Sequence, residues 1–157
     1  MNYEDKINIE SITEVDDYLR DIILAIDEEA FGQGSLNEWS LPPFLHHGKV
    51  YLARYNGVPA AIAELLRDWQ EPELVYLYGL AVAKEYRGFG VGTALLSFIL
   101  TNLTQNGFRR LQLTVHPDNQ AALHMYQAKF GMTRLRLEKN YYGKGEDRWL
   151  MEWRSEL

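Results

Sequence analysis

LVYLYGLAV (residues 74–82), AKEYRGFGVG (83–92) and TALLSFIL (93–100) follow one another without interruption. The first is a near-continuous apolar run, the pattern of a central strand buried on both faces. The third, together with the residues flanking it, places Val91, Leu95, Ile99 and Leu103 at helical spacing and stops at Asn106-Gly107, a left-handed C-cap signal. Between strand and helix stand the three glycines of RGFGVG, Gly88, Gly90 and Gly92. A glycine-rich turn of this kind aims several free backbone N–H groups and the positive end of a helix dipole at one spot, which makes an anion site with phosphate as the usual occupant. The run has neither the full G-x-G-x-x-G of the dinucleotide fold nor the G-K-[ST] of the P-loop. Gly79, inside the strand run, predicts a β-bulge with a close backbone approach, or else a glycine demanded by packing.

Working outward, Val50 to Tyr55 and Pro59 to Arg67 flank Asn56-Gly57, the sequence signal of a tight primed hairpin turn. Upstream, Ile7 and Ile9 alternate as a short strand, and Ser11 or Thr13 is placed to cap a helix carrying Val15, Leu19, Ile22, Ile23 and Ile26. FGQGSLNEWSLPPFLHHG (31–48) reads as a loop with a short helix near Ser35 to Trp39. Downstream, RLQLTVH alternates as a strand, PDN turns, and Asn119 opens a helix, QAALHMYQAKF, that ends at Gly131. MTRLRLE and RWLMEW close the chain as strands around the loop NYYGKGED. The resulting order, β-α-α-β-β-β-α-β-α-β-β, predicts an α/β class with a mixed sheet and helices on both faces.

The 157 residues suit one compact domain, 1–157, and no composition shift marks a linker. Hydrophobic residues at 46% and charged residues at 24% are those of a soluble globular chain. No apolar run approaches the ~20 residues that span a bilayer, and MNYEDKINIE has no leader pattern, so a cytoplasmic protein without a membrane partner is expected. With no cysteine, disulfides, thiolate metal sites and cysteine nucleophiles are excluded. A net charge of −6 argues against nucleic acid as a partner. His46, His47 and His124 lack metal-ligand spacing with carboxylates, so no metal is expected.

LAVAKEYRGFGVGTALL resembles the acetyl-CoA signature of the GNAT superfamily of N-acetyltransferases, with Arg87, Gly90 and Gly92 at the R/Q-x-x-G-x-G/A positions. LTVHPDNQAALHMYQAKFGM resembles that superfamily's next motif, and KNYYGKGEDRWLM brings the chain closest to the ribosomal-protein N-terminal acetyltransferases. The resemblance implies a central, mostly antiparallel, twisted sheet of six to seven strands splayed at its middle. It implies acetyl-CoA as co-substrate, its pyrophosphate held by the N–H groups of Arg87, Gly88, Phe89, Gly90, Val91, Gly92 and Thr93. Leu80, Ala81 and Val82 would bind the pantetheine arm like an added strand, a bulge at Gly79 would leave backbone groups free for it, and Asn119 would join the coenzyme contacts. Lys129, Arg109 and Arg110 are either phosphate partners or solvated surface cations.

The implied reaction is direct attack of an amine on the thioester, which needs no cysteine. The Val82 N–H would stabilise the oxyanion, and Tyr126 matches the tyrosine that donates to the leaving sulfur. A phenol near ~10 against a thiol near ~8.5 makes complete proton transfer uphill by about 2 kcal/mol, so assistance by hydrogen bonding is expected. Where the ribosomal-protein branch usually has a glutamate base, this chain has Thr114. Tyr76, Glu64 and His116 are the candidate replacements. Tyr141 and Tyr142 match tyrosines that line a peptide slot, with pinning of the hairpin loop as their other reading, and segment 31–48 would cover the acceptor. At pH 7 an α-amine near ~8 costs about 1 kcal/mol to deprotonate and a lysine-like amine near ~10.4 about 4 to 5 kcal/mol, so a site without a strong base favours a protein or peptide N-terminus. The alternatives are a small amine (amino acid, polyamine or amino sugar) and a non-catalytic acyl-CoA-binding regulator. The assembly is expected to be a monomer or homodimer.

Overall fold

The computed structural model describes residues 6–156. The first five residues of MNYEDKINIE, from which the leader reading was drawn, therefore lie outside the described residues. In chain order the elements are β1 (Ile7–Ile12), α1 (Asp17–Phe31), α2 (Leu41–His47), β2 (Lys49–Tyr55), β3 (Val58–Arg67), β4 (Leu74–Val82), α3 (Val91–Gln105), β5 (Arg110–Val115), α4 (Gln120–His124), β6 (Thr133–Glu138) and β7 (Arg148–Arg154). Seven strands are hydrogen-bonded in the order β1-β2-β3-β4-β5-β7-β6. The β4–β5 pair is parallel, while β1–β2, β2–β3, β5–β7 and β6–β7 are antiparallel. This is the mixed sheet with flanking helices that the element order predicts, mostly antiparallel as the resemblance implies. Contacts cluster into two compact units, Met1–Leu66 with Tyr78–Asn102 and Arg67–Leu77 with Leu103–Leu157.

In the first unit Asn56 and Gly57 take φ of 50° and 82°, and Tyr55 faces Val58 across the turn, as a primed two-residue hairpin requires. Its core packs Ile23 and Ile26 of α1 and Leu41 and Leu45 of α2 with Val50, Leu52, Ile62 and Ala81. Three local expectations change here. Ser11 stays in the sheet opposite Tyr51, and the cap of α1 is Asp16, whose Oδ1 accepts from the Leu19 N–H at 2.7 Å. A carboxylate there also faces the positive end of the helix dipole. In segment 31–48 the α-helix lies at Leu41–His47 instead of Ser35–Trp39, because Pro42 and Pro43 occupy the first turn, where a missing N–H leaves no bond unmade. Asn37 Oδ1 instead accepts from the N–H groups of Trp39 and Ser40 at 2.8 and 3.0 Å, making Ser35–Ser40 a pinned turn.

The third change concerns β4. Leu74, Val75, Leu77, Gly79 and Ala81 are buried, whereas Tyr76, Leu80 and Val82 are half-buried and Tyr78 is exposed. Only one face of the strand is closed throughout, and Tyr78 leans on Phe44 with ring centroids 4.8 Å apart.

In the second unit β4 pairs with β5 from Leu74–Arg110 to Tyr76–Gln112. β5 buries Leu111, Leu113 and Val115 and presents Gln112 and Thr114 on its other face. The turn ending α3 is a Schellman cap, with Phe108 N–H on Leu103 O at 3.0 Å, Gly107 N–H on Thr104 O at 3.2 Å, and Gly107 at φ 83°. The helix opened by Asn119 departs from the sequence reading. Its α turns stop at His124, and Met125–Lys129 form a π turn. Its cap is widened to match: Gly131 N–H reaches Gln127 O at 3.1 Å and Met132 N–H reaches Tyr126 O at 3.0 Å, each one residue further back than in the cap of α3.

Candidate functional site

In the first unit, the glycines of RGFGVG separate by cause. Gly88 and Gly90 sit at φ of 84° and 81°, where a side chain is strained. Gly92 has ordinary backbone, but a Cβ there would lie 3.1 Å from Val82 Cγ2, so this glycine sets how closely α3 approaches β4. Among the described residues, the backbone N–H groups of Gly88, Phe89, Gly90, Val91, Gly92 and Thr93 meet no acceptor within the chain; the first amide bonded back is that of Ala94, on Gly90 O at 2.9 Å. They stand at the start of a 15-residue helix, where free amides and the positive end of the helix dipole favour an anion. Arg87 is turned to its own chain: Nε donates to Val82 O at 3.2 Å and Nη2 lies 3.6 Å from Glu29 Oε1, which also accepts from the Lys84 N–H at 2.8 Å.

At Gly79 the packing leaves little room for a side chain. A Cβ there would stand 2.7 Å from Glu64 Oε2 and 3.4 Å from Phe31 Cε2. Glu64 is fully buried, and neither of its carboxyl oxygens is hydrogen-bonded to another residue. Burial first, and then the charge of Asp27, hold it well above the ordinary carboxylate range. Asp27 is itself pushed up by burial, although its Oδ2 accepts from the Leu36 N–H at 2.6 Å. Glu64 is therefore a core carboxyl shielded from solvent and biased toward its protonated form. We expect Gly79→Ala to destabilise the fold by about 1–3 kcal/mol. Adding Glu64→Ala should recover part of that loss, so that the two changes are less than additive in urea unfolding. Strict additivity would mean that Glu64 is not what demands the glycine.

In the second unit three hydroxyls line up. Tyr76 OH and Thr114 Oγ1 are 3.1 Å apart, and Thr114 Oγ1 and Tyr142 OH are 3.5 Å apart. Burial raises Tyr76 far above an ordinary phenol; the bond with Thr114 offsets part of this, and the phenols of Tyr141 and Tyr142 add to it. A phenol so placed does not ionise at neutral pH, which removes Tyr76 as a titrating base and leaves it as a neutral hydrogen-bonding group. Tyr141 and Tyr142 meet edge to face at 4.8 Å, and the Arg148 guanidinium lies 5.1 Å over the Tyr142 ring. Their loop is tied by Asn140 N–H to Asp147 Oδ1 and by Gly145 N–H to Asn140 Oδ1, each 2.8 Å. Tyr126 projects from the π turn, 9% exposed, and burial pushes its phenol up to about 12.

The remaining candidates are placed as follows. His116 follows β5, and its Nδ1 accepts from the Asp118 N–H at 3.0 Å, so it shapes the PDN turn. Asn119 caps α4 by accepting from the Ala122 N–H at 3.1 Å. Arg110, read as a phosphate partner or a solvated cation, is an internal ion-pair residue: it contacts Glu71 and lies 3.8 Å from the buried Glu152, which also takes Arg154 Nε at 2.6 Å and Gln112 Nε2 at 3.0 Å. Lys129 is exposed at the end of the π turn. Among the described residues no cluster of three or more His, Cys, Asp or Glu is placed to hold a metal, and no helix is long and apolar enough to cross a membrane. Asp27, the Thr114 hydroxyl link and the π turn were not found by the sequence reading. For Asp27 a signal existed, since an acidic residue recurs there on the apolar helix face at i+4 from Ile23.

A strand, a glycine turn and a helix, set in a mixed sheet, define an α/β protein. The chain belongs to the acetyltransferase (GNAT) family, whose sequence profile matches residues 16–132. An N-alpha-acetyltransferase of Sulfurisphaera tokodaii is 33% identical over 86 residues, covering 52% of this chain and 51% of the relative. An L-2,4-diaminobutyric acid acetyltransferase of Nocardia farcinica is 36% identical over 59 residues, covering 38% and 31%. The chain thus spans about a third to a half of the length of these curated relatives. Naa50 of Arabidopsis thaliana, solved in complex with the bisubstrate analogue CoA-Ac-MVNAL, shares the fold with a TM-score of 0.76 at 21% identity, covering 94% of this chain and 97% of that one.

Proposed function

We propose that this chain is an acetyl-CoA-dependent N-acetyltransferase that moves the acetyl group directly to the α-amine of a protein or peptide N-terminus. The anion cradle fits the coenzyme pyrophosphate through the amides of Gly88 to Thr93, and acetyl-CoA supplies the thioester. Tyr126 donates a hydrogen bond toward the leaving sulfur, and Tyr76 orients the incoming amine. The observation that carries the choice of acceptor is the set of groups joined to Tyr76, which are hydroxyls only. With no titrating base in that set, the amine must lose its proton cheaply. At pH 7 this costs an α-amine near ~8 about 1 kcal/mol and a lysine-like amine near ~10.4 roughly 4 to 5 kcal/mol. The peptide-directed relatives support this reading, and Tyr141 and Tyr142 would flank the peptide.

One relative carries the name of a diaminobutyric acid acetyltransferase, which favours a small amine as the second reading. A mixed panel of N-terminal peptides, lysine peptides with blocked termini, diamino acids, polyamines and amino sugars, scored by mass for acetyl transfer, separates the two. Transfer to free peptide N-termini is expected. Transfer confined to diamino acids or polyamines would replace it with the second reading, and coenzyme binding without any transfer would make the chain an acyl-CoA-binding regulator.

A further inference from the structure

We propose that Thr114 is a positioning residue that hands a proton from Tyr76 to Tyr142, so that a chain of three neutral hydroxyls does the work of a base. The inference rests on the acetyltransferase reading above and specifies how its amine is deprotonated. Thr114 stands on the open face of β5, between a phenol on β4 and a phenol on the loop before β7. The inner step spans 3.1 Å and the outer 3.5 Å, the longer being of the kind that tightens when an acceptor packs against it. Burial decreases along the chain, from half-buried Tyr76 to Tyr142 at 53% exposure, so the outer end meets water. The groups facing the chain are Tyr141, whose phenol also interacts with the Tyr76 hydroxyl, as does that of Tyr142 directly, and Arg148, whose guanidinium holds the Tyr142 ring from one face. Among the described residues, no carboxylate or imidazole is hydrogen-bonded to any of the three hydroxyls.

The proton balance closes without an ionised intermediate in the protein. The amine nitrogen bonds to the thioester carbon and becomes cationic, which makes its N–H acidic. That proton passes to Tyr76 oxygen while Tyr76 gives its own to Thr114, Thr114 to Tyr142, and Tyr142 to a water molecule. The C–S bond then breaks, coenzyme A leaves as the thiolate with Tyr126 donating a hydrogen bond to its sulfur, and the thiolate takes up a proton from water. A hydroxyl at position 114 can both accept and donate in this exchange, and a methyl group in its place can do neither.

The test compares Thr114→Val, which keeps the branched shape, with Thr114→Ser, which keeps the hydroxyl. Single-turnover kinetics with saturating acetyl-CoA and an N-terminal peptide would be read in H2O and D2O mixtures. We expect Thr114→Val to lower turnover about 10- to 100-fold. The KM for acetyl-CoA should stay within about threefold, and Thr114→Ser should recover most of the loss. The wild type should show a bowl-shaped proton inventory, from several protons in flight, and the Thr114→Val variant a linear one. Undiminished turnover in Thr114→Val, or equal damage in Thr114→Ser, would overturn the relay while leaving the acetyltransferase reading in place. A wild type that transfers acetyl to no amine would overturn both.

Discussion

Replacing Tyr126 by phenylalanine is expected to lower acetyl transfer roughly 100-fold with coenzyme affinity preserved. The phenol is 9% exposed, and burial pushes it up to about 12. Against a coenzyme thiol near ~8.5, complete proton transfer would be uphill by roughly 5 kcal/mol, more than twice the figure for an unperturbed phenol. In the proposed reaction Tyr126 would therefore act as a donor that stays protonated while negative charge grows on sulfur. Phenylalanine keeps the ring and its packing and removes that donor. The pH–rate profile of the wild type should accordingly show no falling limb near pH 10, where an ordinary tyrosine would ionise. Single-turnover measurement, in which chemistry limits the rate, decides the matter. Full activity in Tyr126→Phe would remove the residue from the mechanism, and an alkaline limb near pH 10 that disappears in the variant would mean that the phenol is not held protonated.

Glu64→Gln is expected to make the protein more stable at neutral and alkaline pH and to flatten its stability profile. Burial, followed by the neighbouring charge of Asp27, keeps the Glu64 carboxyl protonated well past the ordinary range, its own backbone N–H offsetting only part of this. In the unfolded chain a glutamate releases its proton near ~4.3. Between that value and the folded one, the native state binds one proton more than the unfolded state, so stability falls as pH rises, by about 1.4 kcal/mol per pH unit at full linkage. Below the unfolded value the contribution is fully present, and once pH passes the folded value it is lost. Asp27, raised in the same direction, adds to the slope. Glutamine keeps the shape and titrates nothing. Urea unfolding at intervals from pH 5 to 8 should give a steeper decline for the wild type than for the variant. Parallel profiles would show that Glu64 is ionised in the folded protein.

Elements with a strong local signature were legible from sequence. Asn56-Gly57 demands positive φ whatever surrounds it, and Leu95, Ile99 and Leu103 share a face by helical geometry alone. The glycine turn was legible as a turn because backbone geometry follows from its residue types, with Gly88 and Gly90 at positive φ. What escaped depends on neighbours distant in sequence. Ser11 has every property of a cap, but its pairing with Tyr51 holds it in the sheet. Glu64 reads as a free carboxylate in a strand until Gly79, Phe31 and Asp27 close around it. Thr114 reads as a missing base until Tyr76 and Tyr142 are found at its hydroxyl. Pro42-Pro43 reads as a helix breaker, although proline in a first turn removes nothing the helix uses.

The π turn at Met125–Lys129 and its widened cap give this stretch one residue more than a regular helix would need between His124 and Gly131. Successive helical residues point about 100° apart. Deleting Ala128 would leave every functional side chain in the sequence and relieve a poorer hydrogen-bond pattern. It would also swing Tyr126 and the exit at Gly131 out of register with each other. The segment is thus constrained in length more tightly than in composition: substitutions at its exposed Gln127 and Ala128 cost little, while a gain or loss of one residue re-aims the phenol.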